Sequence, residues 1–104
     1  MKKILLVCAA GMSTSLLVNK MNDAASEQGV EVSITALPYT DARKELKEHD
    51  VIMVAPQVRF QMKDIQKALD GYSMPVFICD MKQYGRCDGP GLLKAAFDAM
   101  EEHA

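Results

Sequence analysis

The chain has 104 residues, a formal net charge of −2, and 49% hydrophobic and 25% charged residues. This length allows one domain with a single core, and the small charge, without a basic patch interleaved with aromatic residues, argues against nucleic-acid binding. The apolar runs are too short to span a membrane, and the start lacks the apolar region of a signal peptide. Three cysteines without metal-ligand spacing indicate reduced thiols in a cytosol and no metal site.

Short apolar runs alternate along the chain with segments of helical periodicity. The predicted strands are residues 3–8, 30–37, 51–55 and 75–79, and the predicted helices are residues 13–28, 42–48, 60–69 and 91–102. Gly29 is expected to end the first helix, Thr40 or Asp41 to cap the second, and Asp88 to cap the last. Residues 80–85 are predicted as a loop or a single helical turn.

This alternation predicts an α/β fold in a single domain, residues 1–104. Parallel strands joined by right-handed crossovers form a four-stranded sheet in the order 2-1-3-4, flanked by helices on both faces. The second strand alternates apolar and polar residues, which favours an edge position. The strand order reverses between strands one and three, and Cys8 and the Pro56-Gln57 loop fall at that switch point, where open α/β sheets bind ligands.

Cys8 is followed by a loop that contains a glycine and three hydroxyl residues. We expect its backbone N–H groups and the positive end of the helix to form a pocket for a thiolate and a phosphoryl group. The predicted phosphate-binding residues are Ala9, Ala10, Gly11, Met12, Ser13, Thr14 and Ser15. This interpretation makes Cys8 an exposed nucleophile that carries phosphate. The alternatives are a small core residue for Cys8 and a simple helix N-cap for Ser13.

The loop differs from that of tyrosine phosphatases at one informative position. Those enzymes have the pattern Cys-x5-Arg-Ser/Thr, whereas the sixth residue after Cys8 is Thr14. The arginine of a phosphatase grips two phosphoryl oxygens and stabilises transfer to water. Without a local guanidinium, the loop is expected to hold phosphate and pass it to a positioned acceptor.

Three segments resemble one known family, the IIB proteins of the lactose/cellobiose class of the bacterial phosphoenolpyruvate-dependent sugar phosphotransferase system. They are residues 3–17, the run Ala55-Pro56-Gln57, and the run from Tyr84 to Gly89 before a Leu-Lys-Ala-Ala helix. The resemblance implies a four-stranded parallel α/β fold and a phosphocysteine at Cys8. It departs from the family at Ala9, where serine is frequent, so that the pocket would depend more on N–H groups.

The same resemblance implies the partners and the reaction. A IIA protein would donate phosphate from a histidine, and a sugar bound by the membrane-embedded IIC transporter would accept it. The implied sugars are disaccharides of the cellobiose, chitobiose and lactose type and related aryl β-glucosides. The chain would then be a cytoplasmic protein-Nπ-phosphohistidine–sugar phosphotransferase, with no cofactor and no membrane insertion of its own.

Residues around the predicted site are candidates for contact with these partners. The candidate docking residues are Met12, Gln57, Val58, Arg59, Phe60 and Tyr84. For Met12 and Phe60 the alternative is packing in the core, and for Arg59 it is a solvated surface position.

Five further residues have structural and functional interpretations. Asp80 follows the fourth strand and could be a general acid, although an N-cap or loop aspartate is favoured. Cys79 is predicted to be buried and Cys87 partly exposed, without spacing that supports a disulfide. His49 lies in no recognisable base constellation, and the same holds for His103.

Two rival functions follow from the residues alone. One is a thiol enzyme similar to low-molecular-weight tyrosine phosphatases or arsenate reductases, which the threonine at position 14 disfavours. The other is a flavodoxin-like binding or regulatory module in which Cys8 is inert.

Overall fold

A computed structural model describes residues 1–9 and 13–103, with the backbone alone for residues 13 and 14. The strands within this part of the chain are β1 (Lys2–Cys8), β2 (Val32–Pro38), β3 (Val51–Val54) and β4 (Val76–Ile78). The α-helices are α1 (Ser13–Gln28), α2 (Tyr39–Ala42), α3 (Met62–Ala68), α4 (Met81–Gly85) and α5 (Gly89–His103). Two 3₁₀ segments, Leu46–Glu48 and Pro56–Gln61, precede β3 and α3.

The strands form one parallel sheet in the order β2-β1-β3-β4. This confirms the predicted order and the edge position of β2. Residues 4–7 of β1 are completely buried, and since successive strand residues point to opposite faces, both faces of the sheet are covered there. The central strand therefore has neighbours on both sides and helices on both faces, as predicted.

Helices α1 and α5 pack against each other along one side of the sheet. Their closest approach is at Gly89, where an added Cβ would lie 2.5 Å from the backbone carbon of Lys20. Only glycine fits at this crossing, and it fixes the first turn of α5 against the middle of α1. Buried residues from both helices complete the core: Leu17, Met21, Ala24, Ala25, Leu92, Leu93 and Ala96.

The second predicted helix is wrong in its bounds and its cap. Helix α2 begins immediately after Pro38 and ends at Ala42, and a separate 3₁₀ turn covers Leu46–Glu48. Pro38 is the N-cap residue, so Thr40 and Asp41 lie inside the helix rather than before it. Proline has a fixed φ that suits the entry to a helical turn. The sequence interpretation had taken Pro38 only as the end of a strand.

The third predicted helix begins later than expected. A 3₁₀ segment starts at Pro56, and Val58 within it has non-helical angles, φ −119° and ψ 25°. The regular α-helix therefore spans only Met62–Ala68. Burial of Val58 explains the irregular turn, because it directs an apolar side chain into the core before the helix can run along the sheet.

The ends of the first and last helices confirm their predicted signals. Gly29 has φ +71°, and the N–H of Val30 donates to the carbonyl of Ala25 at 3.0 Å, which closes the end of α1. Asp88 accepts a hydrogen bond from the N–H of Gly91 at 3.0 Å at the start of α5. No helix in the described ranges is long and apolar enough to cross a membrane.

Candidate functional site

Cys8 is the last residue of the central strand. It is paired in register with Pro38, and the preceding Val7 is paired with Val54. The N–H of Ala55 donates to the carbonyl of Val7 at 2.8 Å, which places the 3₁₀ segment that begins at Pro56 beside the end of β1. We call this side of the sheet, where the strands end and the next helices begin, the carboxyl edge. The predicted meeting of Cys8 with the Pro56-Gln57 segment is confirmed.

The expected exposure of Cys8 is wrong, because the residue is only 4% exposed. Pro38 of β2 is paired with Cys8, and Ala55 follows the end of β3 beside Val7. A reacting group must come within about 3–3.5 Å of the atom that it attacks. A group that reacts with this sulfur would therefore have to reach a residue that is buried in this structure.

The predicted phosphate-binding loop lies only partly within the described residues. Ala10, Gly11 and Met12 fall outside them, so the backbone geometry of the pocket and the role of Met12 stay predictions. Ala9 and Ser15 are exposed, and α1 begins at Ser13 as predicted. The helix thus starts five residues after Cys8, with its N-terminal N–H groups at the carboxyl edge.

Tyr84, on α4, is a side chain whose electrostatic surroundings include Cys8. It is half-buried, and its pKa is raised to about 12, first by burial and then by the charges that Cys8, Cys79 and Cys87 would carry as thiolates. The phenol therefore lies within electrostatic reach of all three thiols. It keeps its proton at every physiological pH, so it can act only as a neutral hydrogen-bonding group.

Cys79 is a buried residue, as predicted, and its environment differs from that of a reactive thiol. Burial raises the pKa of its thiol to about 12, and a backbone hydrogen bond lowers the pKa by a smaller amount.

The sheet register also fixes the distance between Cys79 and Cys8. Val7, Val54 and Ile78 share one register across β1, β3 and β4. Cys8 and Cys79 each come one residue later, so their Cα atoms stand about 10 Å apart, or two strand spacings. That separation is too long for a disulfide.

A groove of about 460 Å³ lies on the carboxyl edge beyond β3 and β4. Its lining residues are Pro56, Gln57, Arg59, Phe60 and Met81. Phe60 is 73% exposed and Met81 is 62% exposed, so the groove carries an unusual apolar rim. Val58 was a predicted docking residue, but its side chain is buried and offers no surface to a partner. Met81 was missed, and only its position directly after the strand-end Asp80 could have indicated it.

The remaining candidates have structural roles or lie elsewhere. Asp80 accepts the N–H of Gln83 at 3.0 Å as the N-cap of α4, which confirms the favoured interpretation. His49 is buried beside Glu45 before β3, and His103 ends α5 against Ser73, so both histidines lie at the opposite end of the sheet. The part of the chain that the structure describes contains no cluster of metal-ligating side chains.

The family follows from a comparison with known proteins. Residues 3–95 match the family model described as PTS system, lactose/cellobiose specific IIB subunit. The chain belongs to this family. The resemblance of the cysteine loop and the two later segments to this family is thereby confirmed over residues 3–95.

Three relatives illustrate the range of this IIB family. The oligo-beta-mannoside-specific EIIB component of Bacillus subtilis is 40% identical over 100 residues, which cover 96% of this chain and 97% of that protein. The solution structure of the cellobiose-specific IIB component of Borrelia burgdorferi superposes with a TM-score of 0.82 at 32% identity, covering 99% and 94% of the two chains. The lactose-specific EIICB component of Lactococcus lactis is 34% identical over 92 residues, which cover 86% of this IIB chain but 16% of that protein.

Proposed function

We propose that this IIB domain, residues 1–104, is a phosphoryl carrier in which Cys8 is the covalent acceptor. The observation that carries the proposal is the position of Cys8 at the end of the central strand, five residues before the start of α1, in a chain that belongs to the IIB family. We expect a thiolate there to be stabilised by the helix N-terminus and by N–H groups of the connecting loop. Residues 9–15 would hold the phosphoryl group.

The reaction consists of two in-line transfers. The thiolate of Cys8 attacks the phosphorus of a phosphohistidine on a IIA protein, so that an S–P bond forms, the N–P bond breaks, and the histidine leaves as a neutral imidazole after taking up a proton. In the second transfer a sugar hydroxyl attacks the same phosphorus. The O–P bond forms, the S–P bond breaks, the hydroxyl proton passes to a base at the acceptor site, and the thiolate is restored.

The composition of the loop favours storage of phosphate over release to water. Thr14 stands where a phosphatase would have an arginine, so the loop supplies N–H groups and hydroxyls but no guanidinium. Burial of Cys8 acts in the same direction, because a residue that is only 4% exposed is poorly accessible to water as well as to partners. The phosphorylated form should therefore persist until an acceptor docks.

Tyr84 is proposed as a positioning residue for the phosphoryl group. Its phenol stays protonated up to a pKa of about 12 and lies within electrostatic reach of Cys8. A neutral O–H donates a hydrogen bond to a phosphoryl oxygen without adding negative charge beside it. Tyr84→Phe should slow transfer while leaving the site of phosphorylation unchanged.

The acceptor is proposed to be a disaccharide bound by a membrane IIC transporter, with the IIB chain on the cytoplasmic side. The EIICB relative of Lactococcus lactis supports this arrangement, since its printed name joins the two components in one protein. The three relatives are named for three different sugars, oligo-β-mannoside, cellobiose and lactose. The sugar pocket is accordingly assigned to the IIC component.

The test is a reconstituted phosphorelay followed by intact-mass analysis. Phosphoenolpyruvate, enzyme I, HPr and a panel of IIA proteins of this class are added to the wild-type chain and to Cys8→Ala, with Cys87→Ala as the matched cysteine control. The wild type and Cys87→Ala should each gain one phosphoryl group, and Cys8→Ala should gain none. Label on Cys8→Ala, or rapid turnover of p-nitrophenyl phosphate without any IIA protein, would contradict the carrier mechanism.

A further inference from the structure

The outer edge of β2, the side that faces away from β1, is an open side of the sheet. Strand β2 pairs with β1 alone. The N–H of Lys2 donates to the carbonyl of Glu31 at 3.3 Å, and because backbone groups alternate in direction along a strand, every second residue of β2 points away from β1. These residues are Val32, Ile34 and Ala36. Their N–H and C=O groups form no hydrogen bond to another described part of the chain.

The side chains of β2 do not protect this edge against pairing. Residues 32–40 contain no charged side chain, although 25% of the chain is charged. Natural sheets protect open edges with charged residues, prolines or very short strands. The opposite edge follows this rule, because β4 has three residues and directly follows Pro75. Strand β2 has seven residues, with its proline only at the end, so its outer edge is suited to pairing with another strand.

The outward-pointing backbone groups are arranged symmetrically about Ile34. In an antiparallel pair, residues directly opposite each other exchange two hydrogen bonds. A second copy with its own Ile34 opposite would bring Val32 against Ala36 on both sides, giving about six hydrogen bonds from three opposed pairs. A second copy of β2 therefore matches this edge in length and in the position of its hydrogen-bonding groups. Since neither strand carries a charge here, the two copies meet without repulsion.

The ends of β2 favour this register over its neighbours. Pro38, the next outward-pointing position, has no N–H, and the N–H of Val30 is already bonded to the end of α1 at 3.0 Å. A copy shifted by two residues would place Val32 against Pro38, or Ala36 against Val30, and would leave backbone groups unpaired. The register centred on Ile34 leaves none of the outward-pointing groups unpaired.

We propose that the outer edge of β2 pairs antiparallel with β2 of a second copy, around a two-fold axis at Ile34, so that one sheet runs through both chains. The pairing stands apart from the proposed function, since it uses the backbone groups of β2 alone. Because the two copies run in opposite directions, their carboxyl edges, each with its own Cys8, lie at opposite ends of the joined sheet. Partners of the two copies therefore approach the dimer from opposite sides.

Sedimentation equilibrium of the full chain over a wide range of concentration tests the pairing. A reducing agent is kept present, so that a disulfide through Cys87 does not join two chains. The mass of the wild type should rise with concentration toward twice the mass of one chain. Ser33→Lys combined with Thr35→Lys should remain monomeric, because positions 33 and 35 of the two copies face each other in this register and like charges directly opposite repel.

The matched control places the same charge on the other edge of the sheet. Ile78→Lys changes an exposed residue of β4, and its association constant should lie within about twofold of the wild-type value. Circular dichroism and a thermal melt of each variant confirm that it is folded.

Two further measurements test the register. The double lysine variant mixed with Ser33→Glu combined with Thr35→Glu should form a mixed dimer, since opposite charges then face each other. In the wild type, hydrogen exchange at the amides of Val32, Ile34 and Ala36 should slow at least about tenfold as association becomes complete.

Three outcomes would overturn the proposal. The first is a wild type that stays monomeric at every concentration. The second is a dimer in which exchange at the three outward-pointing amides of β2 is unchanged. The third is a loss of association in Ile78→Lys equal to that in the double lysine variant, which would assign the contact to another surface.

Discussion

The two ends of the sheet differ in how they use strained backbone and exposed side chains. At the end where the strands begin, the amino edge, positive φ angles fall on Gly29 and Gly71, which adopt them without strain. At the carboxyl edge the positive φ falls on Cys87, at 52°, where a side chain costs roughly 1–2 kcal/mol. Non-glycine strain of this kind clusters at functional sites.

Side-chain pairing follows the same division. At the amino edge Lys3 N–H donates to Asp50 at 2.7 Å, His49 contacts Glu45, and Lys47 lies over the ring of Tyr72. At the carboxyl edge Phe60 and Met81 face solvent. The contacts at the amino edge thus join different elements of the fold, whereas at the carboxyl edge Asp80 and Asp88 cap the helices that they precede, and the Phe60 and Met81 side chains stay exposed. Each prediction below tests one part of this contrast.

The largest expected effect is at the helix crossing that fixes the carboxyl edge. Gly89→Ala places a Cβ 2.5 Å from the Lys20 backbone and should cost about 3 kcal/mol of unfolding free energy through overpacking. Gly85→Ala, where a Cβ meets nothing within 4 Å, is the control and should be neutral or slightly stabilising. Urea unfolding measures both, and equal effects would show that the crossing is not tight.

The next effect depends on pH and on the buried thiol of Cys79. The pKa is 9.0 for a solvated thiol and about 12 in the folded chain, so between these values the unfolded state loses its proton first. The contribution of this thiol to the free energy of unfolding is therefore present below pH 9 and is lost as the pH rises. The loss amounts to about 2 kcal/mol between pH 8 and 10.5. Cys79→Ala should remove this part of the pH dependence of the unfolding free energy, as measured by urea unfolding at several pH values. An unchanged slope would contradict the assigned burial.

Smaller effects are expected from two substitutions that compare a positive φ at a glycine, Gly71, with a positive φ at a residue with a side chain, Cys87. Gly71→Ala should lower stability by about 1 kcal/mol, because nothing but the backbone conformation opposes the added Cβ. Cys87→Gly should raise stability by about 0.5 kcal/mol, the strain released less the added chain entropy. Thermal melts of the two variants should shift in opposite directions, and shifts of the same sign would remove the contrast between the two edges.

The smallest effects are expected at the exposed pair on the amino edge. Ser73 and His103 are joined by a hydrogen bond of 3.0 Å at the surface. Ser73→Ala and His103→Ala should each change stability by no more than about 0.5 kcal/mol, as is usual for exposed substitutions. Neither should change the rate of phosphoryl transfer in the relay, and a slower transfer would show that the amino edge takes part.

Sequence reasoning succeeded where one local signal determines the structure. The end of α1 follows from the glycine with positive φ at position 29. The sheet order follows from two patterns, since β2 alternates apolar and polar residues whereas β3 is an unbroken apolar run. It failed where the tertiary packing decides. The 3₁₀ turn around buried Val58 and the burial of Cys8 depend on neighbours that are distant in sequence. The start of α2 after Pro38 is a local signal that was interpreted only as the end of a strand.

The most direct test of the central claim is to locate the phosphoryl group in the phosphorylated chain. Phosphorus NMR combined with peptide mapping under conditions that preserve the S–P bond distinguishes a phosphocysteine from a phosphohistidine. The account predicts one phosphoryl group, bound to sulfur in the peptide that contains Cys8. A phosphoryl group on His49 or His103, the two histidines of the chain and both at the amino edge, would contradict it.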